Sequence, residues 1–227
     1  MTKLSKSIVL LSGGLDSLTA LGVCKDEYGI DFALTFDYGQ KSAKYEILSS
    51  KKISDYYKIK HKIIRLDWLE EITNTALVSD LCIPNENFGT KSSAESVWVP
   101  NRNALFLNIS ASYADSYGYD YIIFGANKDE GQTFPDNTEE FRIKMTELFE
   151  YSTLKKPKVV APLINSSKDD IVRIAIEKKV PLEFVRSCYS SGQSHCGKCE
   201  SCMHLKNALE RNGALNYIDV LFNKDEN

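Results

Sequence analysis

Long hydrophobic runs are missing from this chain, and so is any strong excess of one charge. No stretch approaches the length of a membrane span. No signal-like apolar segment precedes the first strand, so the chain is expected to be soluble and cytoplasmic. Lysine and arginine total 28 against 31 aspartates and glutamates, a net charge of −3. That balance argues against a broad electrostatic footprint for nucleic acid. The Walker pattern Gly-x-x-x-x-Gly-Lys-Ser/Thr is absent, so cleavage between β- and γ-phosphates is not the first expectation. Internal repeats and low-complexity linkers are absent too. Cysteines number only six, and four of them (Cys188, Cys196, Cys199, Cys202) fall close together. A disulfide framework would spread its cysteines, whereas a cluster in a cytosolic chain points to metal.

What is present fits one α/β domain with a small appendage. Periodicity and turn residues predict strand 7–11, helix 16–27, strand 31–36, helix 41–57 and strand 61–66. Residues 70–98 show no assignable period. A buried helix is expected over 104–114 and a strand over 121–124. An amphipathic helix over 138–152 would bury Phe141, Met145, Leu148 and Phe149. A strand at 159–163 follows. Ser167 and Asp170 then resemble a capping box for a helix through Lys179, stopped with help from Pro181. Residues Asn223 to Asn227 read as a frayed polar tail. Alternating units of this kind imply a doubly wound parallel sheet with ligands at the carboxyl ends of its strands. The division expected is a nucleotide-binding α/β domain over 1–186 and a metal-binding segment with a C-terminal helix over 187–227.

The most informative segment is Ile8 to Ser17. An apolar strand runs into Ser12-Gly13-Gly14, and Leu18, Leu21, Cys24 and Tyr28 continue at helical spacing. A strand, glycine turn and helix in that order aim several backbone N–H groups at one point, a phosphate cradle. Near the other end, Cys196-x-x-Cys199-x-x-Cys202 with Cys188 upstream supplies four soft thiolates. Such a set suits tetrahedral zinc in a closed structural site, with an iron–sulfur cluster as the competitor. Gly192 and Gly197 would let the backbone wrap the metal. His195 reads as loop surface, His204 as an exposed helix position, and Cys24 as core.

Ser12-Gly13-Gly14-Leu15-Asp16-Ser17 resembles the pyrophosphate loop (PP-loop) of ATP pyrophosphatases, which transfer AMP to a substrate oxygen. With the tetracysteine cluster in so short a chain, the sequence resembles the 7-cyano-7-deazaguanine synthase (QueC) family from Ser7 to about Leu209. Thr35-Phe36-Asp37-Tyr38-Gly39-Gln40, Val99-Pro100-Asn101-Arg102-Asn103, Phe134-Pro135-Asp136, Ser187-Cys188-Tyr189 and Lys168 match further family segments. The resemblance implies a carbon–nitrogen ligase that uses ATP, Mg²⁺ and ammonia to turn 7-carboxy-7-deazaguanine into the nitrile through an amide. It implies nucleotide contacts from Leu10, Leu11, Ser12, Gly13, Gly14, Leu15, Asp16, Ser17, Phe36 and Lys168. Asp16, Arg102 and Lys168 would act in catalysis. Tyr38, Gln40, Arg102, Asn103, Phe134 and Asp136 would meet the deazapurine. Dull readings stand beside these. Lys168 could be a surface charge, Arg102 with Asn103 a salt bridge and helix cap, Asp136 a turn residue, and Phe36 and Tyr38 core aromatics. A homodimer is implied by resemblance alone. The chain has no room for a glutaminase, so ammonia would come from solution or another protein.

Departures from the pattern leave the acceptor open. Lys41-Ser42 stand where the family has Arg-His, and Lys128, Gln132-Thr133 and Asn137 also differ. Lys128 is expected to add positive charge near the substrate. A second reading is thus a diverged QueC-like enzyme that stops at the amide or couples the activated deazaguanine to an amine on a protein, as in bacterial defence. A tRNA-modifying pyrophosphatase is a third reading, disfavoured by the acidic balance. A non-catalytic zinc-stabilised interaction module is the weakest, because it leaves the phosphate loop unexplained.

Overall fold

A computed structural model describes residues 6–85 and 91–222; the tail expected at Asn223 to Asn227 lies outside them. Five parallel strands form one sheet: β1 (Ser7–Leu10), β2 (Ile30–Asp37), β3 (Lys60–Arg65), β4 (Tyr121–Ile123) and β5 (Lys158–Val160). Their spatial order is β3-β2-β1-β4-β5. The chain winds outward from β1 to β3 and then crosses to β4 on the other side. The gap between the carboxyl ends of β1 and β4 is therefore the switch point, where open α/β sheets bind ligands.

Both faces of the sheet are covered, which explains the near-continuous apolar strands. Consecutive residues of a strand face opposite ways. Val9, Ala33 and Ile123 enter one core, with helices α1 (Leu15–Tyr28), α8 (Lys168–Glu177), α9 (Glu200–Arg211) and α10 (Leu215–Phe222) and with Ile53 of α2 (Ala43–Tyr57). Ile8, Leu34 and Ile122 enter the other, with α5 (Arg102–Tyr117), α7 (Glu139–Ser152) and Leu69 of α3 (Asp67–Ile72). The exposed lysines Lys60 and Lys62 lie on edge strand β3, and charge there discourages pairing with another chain.

Element types agree with the sequence reading, and boundaries shift by a few residues. The last expected strand stops at Val160, because the chain turns over residues 162–165. The unassigned stretch contains part of α3, a loop over residues 73–85, and helix α4 (Lys91–Val97). Such short helices offer too few turns for a visible period. Leu148, expected to be buried, is 45% exposed, while Met145 and Phe149 carry the apolar face of α7. The capping box is present: Ser167 accepts from Asp170 N, and the Asp170 carboxylate accepts from Ser167 N. A four-residue helix, α6 (Lys128–Gly131), completes the set. Among the described residues no helix is long and apolar enough to cross a membrane.

Candidate active site

At the switch point lies a cavity of about 540 Å³, within the range of small-molecule sites. The end of β1 and the following loop (Leu10, Leu11, Ser12, Gly14, Leu15, Asp16, Ser17) form its floor. Gly13 has φ +80, and a Cβ there would stand 2.7 Å from Ser49 Oγ and 2.9 Å from the Glu46 carbonyl oxygen. Only glycine lets the loop lie this close to α2. Gly125, after β4, is as tightly placed: its Cβ would stand 2.8 Å from Ser17 N. Ser17 is the hub of the loop, its hydroxyl donating to Gly14 O at 3.1 Å and accepting from Ser12 N at 3.2 Å.

Charge is concentrated on one wall. Lys168, first residue of α8, brings Nζ within 2.8 and 3.0 Å of the two Asp16 oxygens, and 3.6 Å from Glu130. Burial works to lower the Lys168 pKa, but Asp16 and Glu130 outweigh it and hold the ammonium above its ordinary range. Burial raises the Asp16 pKa, with Lys168 opposing. Asn127, fully buried, donates to Asp16 at 3.2 Å while its side-chain oxygen caps α6 by accepting from Glu130 N. Asp129 accepts from Lys168 N at 2.7 Å.

Arg102, at the start of α5, also lines the cavity and donates to Tyr38 Oη at 3.2 Å. Burial alone would lower the Arg102 pKa; Tyr38, Asp136 and Glu130 reverse that, so the guanidinium keeps its charge. Asp136 is raised by burial, with Arg102 opposing. Asn103 reaches the Asp136 carbonyl at 3.4 Å. Phe134 stacks on Trp98 with centroids 5.6 Å apart, and Phe36 on Phe106 at 4.0 Å. Gln40 spends both amide hydrogens inside the protein, on Phe36 O and on Glu46. Every residue expected to contact nucleotide or deazapurine lines this cavity except Gly13, whose carbonyl instead accepts from Arg186 N.

Several further lining residues escaped the sequence reading: Glu46, Trp98, Glu130, Arg186, Tyr189 and Glu200. Tyr189 was visible only as part of the Ser187-Cys188-Tyr189 segment, and Glu130 left a local trace because Asn127 followed three residues later by Glu is a helix-start signature. His204 is exposed on its helix as expected, and it also borders the cavity. Lys128 is exposed and stands outside the lining, while its neighbours Asp129 and Glu130 are part of it. The positive charge expected near the substrate from Lys128 is therefore missing from the cavity wall.

Beyond the cavity, the Sγ atoms of Cys188, Cys196, Cys199 and Cys202 lie within 4.8 Å of one another. Backbone N–H groups donate to two of the sulfurs: Cys196 N to Cys188, and Lys198 N and Cys199 N to Cys196. Four convergent sulfurs with N–H donors fit a thiolate-bound metal ion. Gly197 has φ +68 within this loop; Gly192 needs no such conformation. His195, expected on the surface, is buried. Its Nε2 accepts from Ser187 N at 3.0 Å and its Nδ1 faces Leu221 O at 3.0 Å, so the ring ties the loop to α10. Cys24 is buried in the core as expected.

Comparison with known proteins matches residues 6–213 to the family described as Queuosine biosynthesis protein QueC. The chain belongs to the QueC family. Among curated relatives, the 7-cyano-7-deazaguanine synthase of Methanosarcina barkeri is 44% identical over 219 residues, 92% of this chain and 95% of the relative. That of Carboxydothermus hydrogenoformans is 46% identical over 211 residues, covering 90% and 98%. Of solved structures, the U34-tRNA thiolase NcsA from Methanococcus maripaludis aligns with a TM-score of 0.53 at 19% identity, over 97% of this chain and 71% of that one. NMN synthetase from Francisella tularensis aligns at 0.50 and 17%, over 98% and 85%. These two likenesses establish the shared PP-loop fold. Family membership over nearly the whole chain favours the synthase reading above the diverged ligase and the tRNA-modifying enzyme.

Proposed function

We propose that this QueC-family protein is a 7-cyano-7-deazaguanine synthase, a carbon–nitrogen ligase that spends ATP to convert 7-carboxy-7-deazaguanine to the nitrile. The observation that carries the reading is the convergence, in one cavity at the switch point, of the phosphate loop, the Lys168–Asp16 pair and Arg102 beside Asp136. A carboxylate is a poor electrophile, so its oxygen attacks the ATP α-phosphorus and pyrophosphate leaves. Ammonia then attacks the acyl carbon of the adenylate, and AMP leaves with the amide formed. A second ATP activates the amide oxygen in the same way. Loss of AMP and of the two remaining N–H protons leaves the nitrile.

Backbone N–H groups around Ser12, Gly14 and Ser17, with Gly13 shaping the turn behind them, receive the pyrophosphate at the start of α1, where helix and loop dipoles favour an anion. Lys168 adds a point charge to the phosphates, and Arg102 holds a phosphate or the substrate carboxylate. Asp16 would hold a nucleotide-bound Mg²⁺ or orient the loop through Lys168; the ion, when bound, neutralises phosphate charge. Asp136 accepts from the ring N–H and exocyclic amine of the deazaguanine. Tyr38, Asn103 and Phe134 complete that side of the site, and Leu10, Leu11, Leu15 and Phe36 line the nucleotide side. The partly closed cavity excludes water from the adenylate.

The four-cysteine site is proposed to hold zinc, which cross-links the loop when bound. Residues 1–186 would form the nucleotide-binding part and 187–227 the metal-binding appendage. A homodimer in the cytosol is part of the same reading, supported by the family resemblance.

Mass spectrometry of products from 7-carboxy-7-deazaguanine, Mg-ATP and an ammonium salt tests the proposal. Nitrile with AMP and pyrophosphate is expected. Amide alone, or adenylate waiting for another amine, would overturn it in favour of the diverged ligase.

A further inference from the structure

Glu46, on the first turn of α2, is a half-buried carboxyl in the cavity wall that the reaction above does not use. Neutral groups occupy both of its oxygens: Ser42 Oγ donates to Oε1 at 2.5 Å and Gln40 Nε2 donates to Oε2 at 2.8 Å. Both Glu46 oxygens accept in this arrangement, and they dictate which end of the Gln40 amide faces them. The other end then has one place to go. Gln40 Oε1 accepts from Tyr38 N at 2.9 Å, and Nε2 also donates to Phe36 O at 3.1 Å. Tyr38, so pinned, offers its phenolic oxygen to Arg102 Nη1 at 3.2 Å, with its ring 6.0 Å from the guanidinium carbon. Hydrogen bonds thus run from Ser42 through Glu46 and Gln40 to the Tyr38 backbone, and the Tyr38 side chain carries the link on to Arg102.

We infer that Glu46 is a positioning residue that fixes the aim of Arg102 through Gln40 and Tyr38. The inference rests on the reading of this cavity as the synthase site. It also gives a use to a departure seen in the sequence. Ser42, where the family pattern has histidine, is buried at the start of α2 and makes no cap to that helix. Its hydroxyl is given to Glu46 instead. The chain of contacts leaves the phosphate loop out, so most of nucleotide binding is separable from arginine aim.

Steady-state kinetics of nitrile formation on Glu46→Ala, Glu46→Gln, Tyr38→Phe and the double variant Glu46→Ala/Tyr38→Phe tests the assignment. Misaiming a positioning group by an ångström costs about a hundredfold, and E46A is expected to lose activity on that scale. KM for the deazapurine should rise more than KM for ATP, whose phosphates are also held by the loop and Lys168. E46Q should recover most of the loss, because its oxygen still accepts from Gln40 and its amide turns to Ser42. The double variant should be no worse than the poorer single variant, since both break one chain. Additive losses, or an E46Q as poor as E46A while still folded, would overturn the assignment. Should E46A fail to fold, Ser42→Ala takes its place in the cycle with Y38F. Wild-type protein that forms no nitrile would overturn the function reading and this one with it, and that case is recognised because the wild type itself fails.

Discussion

At the scale of single residues, the Lys168–Asp16 pair shows what the cavity does to charge. The two side chains are only 16% and 19% exposed, so each needs the other to stay ionised out of water. Removing one partner of such a pair leaves a buried charge uncompensated, at a cost of about 3 kcal/mol. Lys168→Met is therefore expected to lose stability on that order, with Glu130 adding repulsion to the stranded Asp16. Asp16→Asn combined with Lys168→Met should restore part of the loss, because no carboxylate then needs a counter-charge. Urea denaturation of the two single variants and the double checks this. A K168M change no larger than that of an exposed lysine would show the pair to be solvated. On the proposed assignment, ATP binding would ask Lys168 to share its charge between Asp16 and the phosphates. The carboxylate thus keeps the lysine charged and placed before nucleotide arrives.

At the scale of elements, three strands are tied together at the root of the phosphate loop. Thr35 Oγ1 on β2 donates to Leu11 O, just past β1, and so must accept from His61 Nε2 on β3 at 2.8 Å. Ser50 of α2 donates to the same carbonyl at 2.9 Å. Burial, with Lys51 nearby, lowers the His61 pKa below its ordinary value of 6.5. The unfolded chain therefore takes up a proton before the folded one does. Stability should be steady above pH 6.5 and fall as pH drops through that value toward the folded pKa. Melting midpoints of wild type and His61→Gln at pH 7 and pH 5 test the sign. The wild type should lose more than the variant over that interval, and equal losses would refute the coupling.

Strands and helices were legible because burial on both faces of the sheet writes itself as runs such as Ile8 to Leu11 and Ile122 to Phe124. The phosphate loop was legible because its glycines, next to a strand and a helix, are demanded by close approach. The tetracysteine site was legible from spacing alone. Glu46, Arg186 and Glu200 were not. Each reaches the cavity from an element far away in sequence, and nothing local distinguishes such a residue from a solvated charge. His195 was misread for the same reason: its partners, Ser187 N and Leu221 O, exist only once α10 has docked.

At the scale of the whole molecule, the metal site and the nucleotide site share a joint. Arg186 N donates to Gly13 O in the phosphate loop at 2.8 Å. Its guanidinium donates to Ser190 O at 2.7 Å and Gln193 O at 3.1 Å in the loop between Cys188 and Cys196. Farther on, Cys199 and Cys202 sit at the head of α9, whose Leu205, Ala208 and Leu209 belong to the same core as Leu18 and Ile171. Stripping the metal leaves four crowded sulfurs without their counter-charge, and the Arg186 and His195 hydrogen bonds must then hold the loop without it. Binding energy at a structural metal site is folding energy. A loss of about 5 kcal/mol would lower the melting midpoint by roughly 10–20 °C in a chain of this length. Because α9 is part of the main core, unfolding should remain one transition at the lower midpoint. The second consequence is specific to the joint: chelated protein, below its new midpoint, should bind ATP more weakly, since Arg186 no longer braces Gly13. Calorimetric titration of nucleotide into metal-free and remetallated protein, beside their melting curves, separates the two effects. Unchanged midpoint and unchanged affinity would make the cluster an ornament of the surface. A lowered midpoint with unchanged affinity would confine its role to holding α9 in place.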